Sequence, residues 1–508
     1  MYMASTSSGI KKGAILSYTG SALNIVIGLL YTPWLIRSLG SSDYGLYALA
    51  TSFVSYFLID FGLGNSIAKY LSGYRAKNQD QEIKDFLGIV YKTYLIICLA
   101  LALVFTIVYF NIDNIFKGLT IDELQRFRYV FIIVAFYSVC SFPFNTYIGV
   151  LTAYEKFVPL QESYILQKLT LVLSMSIALL LGFGVFALVL IQLFAGAVTI
   201  LFRSYHVKKC NVSINWTYSD KTAIYDILKF SLWVCVLGIC FQLIYGFQTT
   251  VLGIVSDTLN ISIYNVSHTI YGFVFAFAYG LNGMFMPKVS YIEANEDDAT
   301  EKTNSLMIKV GRCQILLIGL MVSGFFIFGK CFLRLWIGND FINSYYVGLM
   351  LIIPTLFVLT EEIPNTLLYV RNKVKYRAIA YSIATVVCSV ITYFLSSRIG
   401  AIGAGVAIII SIIAFDVIGV NIFYSKRMGI NILGFFKNCH IKYLVPFFIS
   451  IAAGVGITIV LKPAAWMTLG LSVIIYVILY GVIMWLLFMN NYEKGLLLGV
   501  VNRVVRKK

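Results

Sequence analysis

SFPFNTYIGVLTAYEKF, residues 141–157, has an echo in TEEIPNTLLYVRNKVKY, residues 360–376. Each sets a proline just ahead of Asn-Thr inside an apolar run and then ends in charged residues. Asn145 and Asn365 stand 220 positions apart. GLGNSIAKY from Gly62 is answered at an offset of 218 by GLNGMFMPK from Gly280, and the segment around Lys92 at 220 by that around Arg312. Apolar helices resemble one another easily, but three echoes in order at nearly constant spacing indicate two copies of one unit.

The environment of that unit follows from composition. Hydrophobic residues make up 59% of 508 positions, charged residues 12%, and the mean hydropathy is +0.85. A soluble domain carries roughly a quarter charged residues, so this chain cannot cover a water-facing surface. Apolar runs of about 20 residues, each long enough to cross a bilayer, recur from end to end. Fourteen spans are expected. The predicted fold is an all-α integral membrane protein with two parallel six-helix repeats around a central cavity and two extra helices. Because six is even, both copies enter the membrane from the same side. The expected divisions are 1–222 for the first lobe, 223–427 for the second, 428–490 for the accessory spans, and 491–508 for an amphipathic cytoplasmic tail. Pro143 and Pro364 are expected to break the fourth helix of each lobe.

Lysine and arginine set the orientation. With the amino terminus in the cytoplasm, the outer loops carry Arg37, Lys117, Arg126, Arg128, Lys330, Arg334, Arg398 and Lys462, which leaves 31 of the 39 inside. That is the positive-inside pattern, with both termini cytoplasmic. The net charge of +16 is thus explained by topology and anionic headgroups, and no clustered basic face points to nucleic acid. The nine cysteines are scattered without a CxxC pair, and the three histidines lie far apart in sequence. Neither a disulfide framework nor a metal site is indicated. There is no P-loop and no catalytic constellation, and the outer loops are too short for a glycosyltransferase or polymerase domain.

Buried ionisable residues remain, and in lipid they point to function. Asp60 lies nine residues before Lys69 and Glu362 nine before Arg371, roughly 14 Å from the inner face at 1.5 Å per residue. Asp416 and Lys168 reach similar depth; Lys92, Lys309 and Arg312 lie shallower. One reading makes these structural ion pairs, Asp60 with Lys168 or Lys92 and Glu361 or Glu362 with Arg312. The other makes Lys92, Lys168, Lys309 and Arg312 a cationic lining for an anionic headgroup, with Asp60, Glu361, Glu362 and Asp416 as ion-coupling groups. Asn24, Asn145, Gln242 and Asn365 are uncharged polar candidates for the same cavity.

YTPWLIRSLGSSDYGLYALATSFVSYFLIDFGLGNSIAKYLSGYRA, residues 31–76, carries Pro33, Arg37 through Gly40, Tyr44-Gly45 and Asp60 through Gly64. This pattern resembles the amino-terminal signature of bacterial polysaccharide-export flippases. These are the Wzx-type, polysaccharide-transport branch of the multidrug/oligosaccharidyl-lipid/polysaccharide exporter (MOP) superfamily, which also holds the MATE exporters. The resemblance implies a flippase that moves an undecaprenyl-diphosphate-linked oligosaccharide repeat unit, a precursor of O-antigen, capsule or exopolysaccharide. It implies transport across the bacterial cytoplasmic membrane by alternating access, without ATP and without catalysis. No cofactor is implied beyond coupling to a proton or sodium gradient. Besides membrane lipids, the implied partners are a polysaccharide polymerase and chain-length machinery. The rival within the superfamily is a cation-coupled multidrug exporter. A membrane glycosyltransferase or polymerase is the more distant alternative.

Overall fold

In a computed structural model the protein is all-α. The structure describes residues 2–55, 63–76, 79–217, 221–279, 285–371, 373–495 and 498; some side chains within the helices, those of residues 2–19 and 21–25 among them, are not described. Asp60 therefore lies outside the described residues, as does the side chain of Asn24.

Contacts divide the chain into two compact units. The first comprises Met1–Asn265 with Thr385–Ala404, and the second Val266–Ala384 with Gly405–Lys508. Among the described residues ten helices are long and apolar enough to cross a membrane, and a bent pair makes an eleventh; fourteen are expected over the whole chain.

The first unit holds α1 Tyr2–Ser55, α2 Leu63–Ala76, α3 Asp80–Phe110, α4 Ile112–Ile115, α5 Ile121–Ser141, α6 Thr146–Ala153, α7 Phe157–Leu180, α8 Val185–Lys208 and α9 Lys221–Val255. A straight helix of 54 residues would run about 80 Å, far beyond a hydrocarbon core of about 30 Å. Gly40 divides it, with φ 80° and ψ 166° inside α1, a left-handed geometry that glycine adopts without a Cβ clash. Just beyond, Gly45 packs so tightly that a Cβ there would stand 2.6 Å from the Thr258 carbonyl oxygen.

Polar groups stitch this corner. The Ser42 hydroxyl donates to Glu123 at 2.7 Å, and Thr258 donates to the same carboxylate at 2.9 Å. Arg126 pairs with Asp43 at 2.6 Å. The expected break at Pro143 is present, because α5 gives way to a 3-10 turn over Phe142–Asn145 before α6 resumes.

The remaining helices are α10 Thr258–Tyr279, α11 Met286–Asn295, α12 Ala299–Trp336, α13 Asn343–Ile352, α14 Thr355–Val358, α15 Glu362–Val370, α16 Val374–Ile399, α17 Ala401–Ser411, α18 Asn421–Met428, α19 Ile432–Phe436, α20 Lys442–Leu461 and α21 Trp466–Leu487. Two π-helical stretches, Ile412–Val420 and Lys437–Ile441, join α17 to α18 and α19 to α20. The second proline also marks a break. The chain bends by 60° between α13–α14 and α15, and Pro364 falls in the first turn of α15, where its missing N–H costs no helical bond. At the far end of α15, the Arg371 guanidinium grips Glu293 of α11 through two bonds, 2.8 and 2.9 Å long, and donates to the Met428 carbonyl.

Candidate functional site

The bend before α15 places an acid at a broken helix end. Glu361 sits in the break immediately ahead of α15, 3% exposed. One turn on, the Asn365 backbone N–H donates to the Glu361 carbonyl at 3.1 Å, so both side chains leave the same face. Two further segments of the second unit offer matching pairs. On α16, Arg377 and Tyr381 lie four residues apart, one turn of helix. Along the first π-helix and into α18 come Asp416, Asn421 and Tyr424.

These faces meet. The Tyr381 hydroxyl donates to Asp416 at 2.6 Å, Asn421 donates to Glu361 at 2.6 Å, and the Tyr424 hydroxyl donates to Asn365 at 2.6 Å. Arg377 Nε lies 3.7 Å from the Asp416 carboxylate. Glu361 is within electrostatic reach of both. Asp416 is paired with the guanidinium and Glu361 lies within its field, and the bonding is incomplete. Arg377 Nε and Asn421 Oδ1 have no hydrogen-bond partner among the described residues. An unmet buried polar atom costs about 1–3 kcal/mol.

Arg312 shows the opposite condition. It is 6% exposed and bound on every side. Its guanidinium pairs with Glu493 at 2.5 Å, donates to the carbonyls of Asn438 and Phe488 at 2.9 and 2.6 Å, and lies 4.0 Å from the Phe488 ring centre. The expected partnership of Arg312 with Glu361 or Glu362 is therefore corrected. Its partner comes from the carboxyl-terminal tail, which the sequence reading laid on the membrane surface. A fully satisfied pair of this kind holds helices together.

The other anticipated residues have their own surroundings within each unit. In the first unit, Lys168 is half-buried on α7 and enters no ion pair among the described residues. Lys92 is half-buried on α3, and Asn145 ends the 3-10 turn. Gln242 is exposed; the buried amide of α9 is Gln248, 0% exposed, which reaches the Ile244 carbonyl and the Cys388 sulfur. In the second unit, Lys309 is exposed with its ammonium 5.7 Å from the Tyr492 ring centre. Glu362 is half-buried, one turn from Thr366. So Glu361, Asn365 and Asp416 come together within the second unit, whereas Lys309 and Arg312 of that unit do not join them.

Several residues of the cluster escaped sequence reading. Arg377 and Tyr381 were not among the anticipated residues, and their spacing of one helical turn on α16 was the available signal. Arg203 was placed beyond its span, yet it is 8% exposed, with Nε donating to the Ser163 hydroxyl at 2.9 Å.

With this geometry established, comparison with known proteins supplies the family. The model of the polysaccharide biosynthesis protein family matches residues 10–287, more than half of the chain. The chain belongs to this family. Its members' kinship with transporters is visible in a Shigella flexneri protein named "Putative O-antigen transporter". That protein is 22% identical over 411 residues, covering 78% of this chain and 94% of the relative. The lipid II flippase MurJ in an inward closed conformation superposes with a TM-score of 0.70 at 13% identity, over 95% of this chain and 100% of that one. An inward-facing MATE family multidrug transporter of the MOP superfamily gives 0.60 at 15% identity, over 81% and 98%. This family member is thus a multi-pass, all-α membrane protein with the fold of those transporters.

Proposed function

We propose that the protein moves an undecaprenyl-diphosphate-linked oligosaccharide repeat unit from the inner to the outer leaflet of the bacterial cytoplasmic membrane, both termini facing the cytoplasm. The observation that carries this reading is the similarity to the Shigella protein across nearly its whole length. Physical chemistry supports it. A diphosphate with several sugars cannot cross hydrocarbon unaided, so a protein must replace water along the way. Lys168, a cation roughly 14 Å deep without an ion-pair partner among the described residues, suits the diphosphate. Release outside follows from weaker binding in the outward-open state, since a ligand shifts an equilibrium only by its differential affinity.

The Glu361–Asp416–Arg377 cluster supplies the coupling in this reading. With both carboxyls ionised it would carry one uncompensated buried charge, which is costly; taking up a proton removes it. Transport driven by the proton gradient follows, and Asn365, Asn421 and the two tyrosines tune the exchange. A multidrug exporter would instead need an acidic lining for cationic drugs.

Reversing Lys168 to Glu separates the two. In a strain lacking the gene and any redundant flippase, the wild-type chain is expected to restore surface polysaccharide, and the Lys168→Glu variant, equally abundant in the membrane, to fail. Normal polysaccharide assembly in the strain without the gene would overturn the proposal. An unimpaired Lys168→Glu variant would remove Lys168 from it.

A further inference from the structure

The orientation proposed above places few lysines and arginines outside, and their distribution is uneven. Arg126 and Arg128 are each neutralised, by Asp43 and Asp113. Lys330, Arg334 and Lys462 instead line one cavity of about 390 Å³. It lies within the second unit, where the last turns of α12 meet the end of α20 and the 462–465 loop. All three side chains are exposed, and none enters an ion pair among the described residues.

Two of the cations, Lys330 and Lys462, are positioned without being discharged. The Lys330 ammonium lies 5.1 and 5.0 Å from the ring centres of Tyr345 and Tyr346, a cation–π contact that steers the charge and leaves it in place. Lys462 occupies a left-handed helix cap, φ 39° and ψ 65°, where glycine or asparagine is the usual choice. The fold therefore retains a cation at a position whose backbone disfavours lysine. The Cys331 thiol donates to the Pro463 carbonyl at 2.9 Å and fixes the loop to α12.

The surroundings fix the depth. Phe332 stacks on Trp336 at 5.1 Å and meets the exposed Trp466 edge-on, and such aromatic groups mark the membrane–water interface. Below the cations, Val455, Ile459 and Val460 of α20 face outward. A basic pocket above an apolar flank at the interface suits one class of ligand, an amphiphile with an anionic head.

We propose that this pocket binds the phosphate of a lipid at the outer membrane surface, with Lys330, Arg334 and Lys462 surrounding the anion. Anionic phospholipids and polyprenyl phosphates share that chemistry. The side of the membrane rests on the orientation given under Proposed function; the binding itself does not.

The test is native mass spectrometry of the full-length protein with phosphatidylglycerol, phosphatidylcholine, undecaprenyl phosphate or inorganic diphosphate. Wild type is expected to hold one of the anionic lipids at least ten-fold more tightly than phosphatidylcholine. The triple variant K330Q/R334Q/K462Q is expected to lose that preference with its unfolding temperature kept, and K330R/R334K/K462R to retain it. Preference for phosphatidylglycerol identifies a bulk lipid, preference for undecaprenyl phosphate the cargo carrier, and either supports the proposal. An unchanged preference in the folded triple variant overturns it, as does equal binding of phosphatidylcholine, or of inorganic diphosphate in place of lipid. Lys462→Cys in a cysteine-free background is expected to react with an impermeant thiol reagent on intact cells. Reaction only after permeabilisation would overturn the outer placement and the orientation together, while the binding result stands separately.

Discussion

Arg312 and Glu493, 181 residues apart, form a buried ion pair 2.5 Å long, 8% and 3% exposed at their side chains. The pair ties the segment after α21 to α12. Removing one partner strands a buried charge, at a cost of about 3–5 kcal/mol, whereas replacing both with well-packed apolar residues is often neutral. Glu493→Gln is therefore expected to lower the apparent unfolding temperature of the detergent-solubilised protein sharply. The double variant R312M/E493L is expected to recover most of the loss. Equal damage from single and double variants would remove the pair as the cause.

Gly45 carries the second prediction. A Cβ there would stand 2.6 Å from the Thr258 carbonyl oxygen, backbone against backbone, so neither side can yield by changing rotamer. Gly45→Ala is expected to destabilise by about 1–3 kcal/mol, the usual range for overpacking. Gly238 on α9 has open space around its Cβ position, and Gly238→Ala is expected to be neutral or stabilising. Thermal unfolding of the two variants side by side checks the contrast.

The carboxyl pair of the second unit yields a functional prediction. Glu361→Gln and Asp416→Asn each remove a carboxyl from the shared site while keeping its shape. Each is expected to cut proton-gradient-driven transport in proteoliposomes at least ten-fold, with the protein folded and inserted. Gradient-driven rates equal to wild type in both variants would dismiss proton exchange at this cluster.

Arg371 tests geometry against charge. Lysine at this position keeps the charge and loses the forked grip on Glu293, since an ammonium is a point charge. Arg371→Lys is expected to cost about 1 kcal/mol or more. Breaking the solvent-facing pair of Lys302 with Glu296 is expected to cost less, as exposed pairs contribute about 0–1 kcal/mol. Chemical denaturation of the two variants compares them directly.

The sequence was informative where a property is local or repeated. Apolar runs reported membrane helices because the bilayer fixes their length, and the paired prolines reported two breaks because proline cannot continue a helix hydrogen-bond ladder. Depth counting picked out Asp416, which lies in the cluster, and Glu362, the half-buried neighbour of the clustered Glu361. It failed where partners are distant in sequence. Nothing near Arg312 points to Glu493, and a tail rich in lysine and arginine reads as a surface segment. Arg377 stands among the many inner-face cations that set the orientation, and nothing local to it points to Asp416. Gln242 and Gln248 share α9, and only packing decides which amide is buried.

At the 220-residue offset, Ser141 occupies in the first copy the position that Glu361 holds in the second, so equivalent bends were given different chemistry. The π-helix beside that acid has a further consequence. Its nine residues, Ile412–Val420, are wound more loosely than the flanking turns, and such stretches concentrate at working parts of proteins. Tightening it to ordinary winding would release one surplus residue and rotate everything downstream by roughly 100°. Asn421 would then leave Glu361, and Tyr424 would leave Asn365. One slipped residue would unlock two bonds together, a ratchet that needs no hinge and no unfolding.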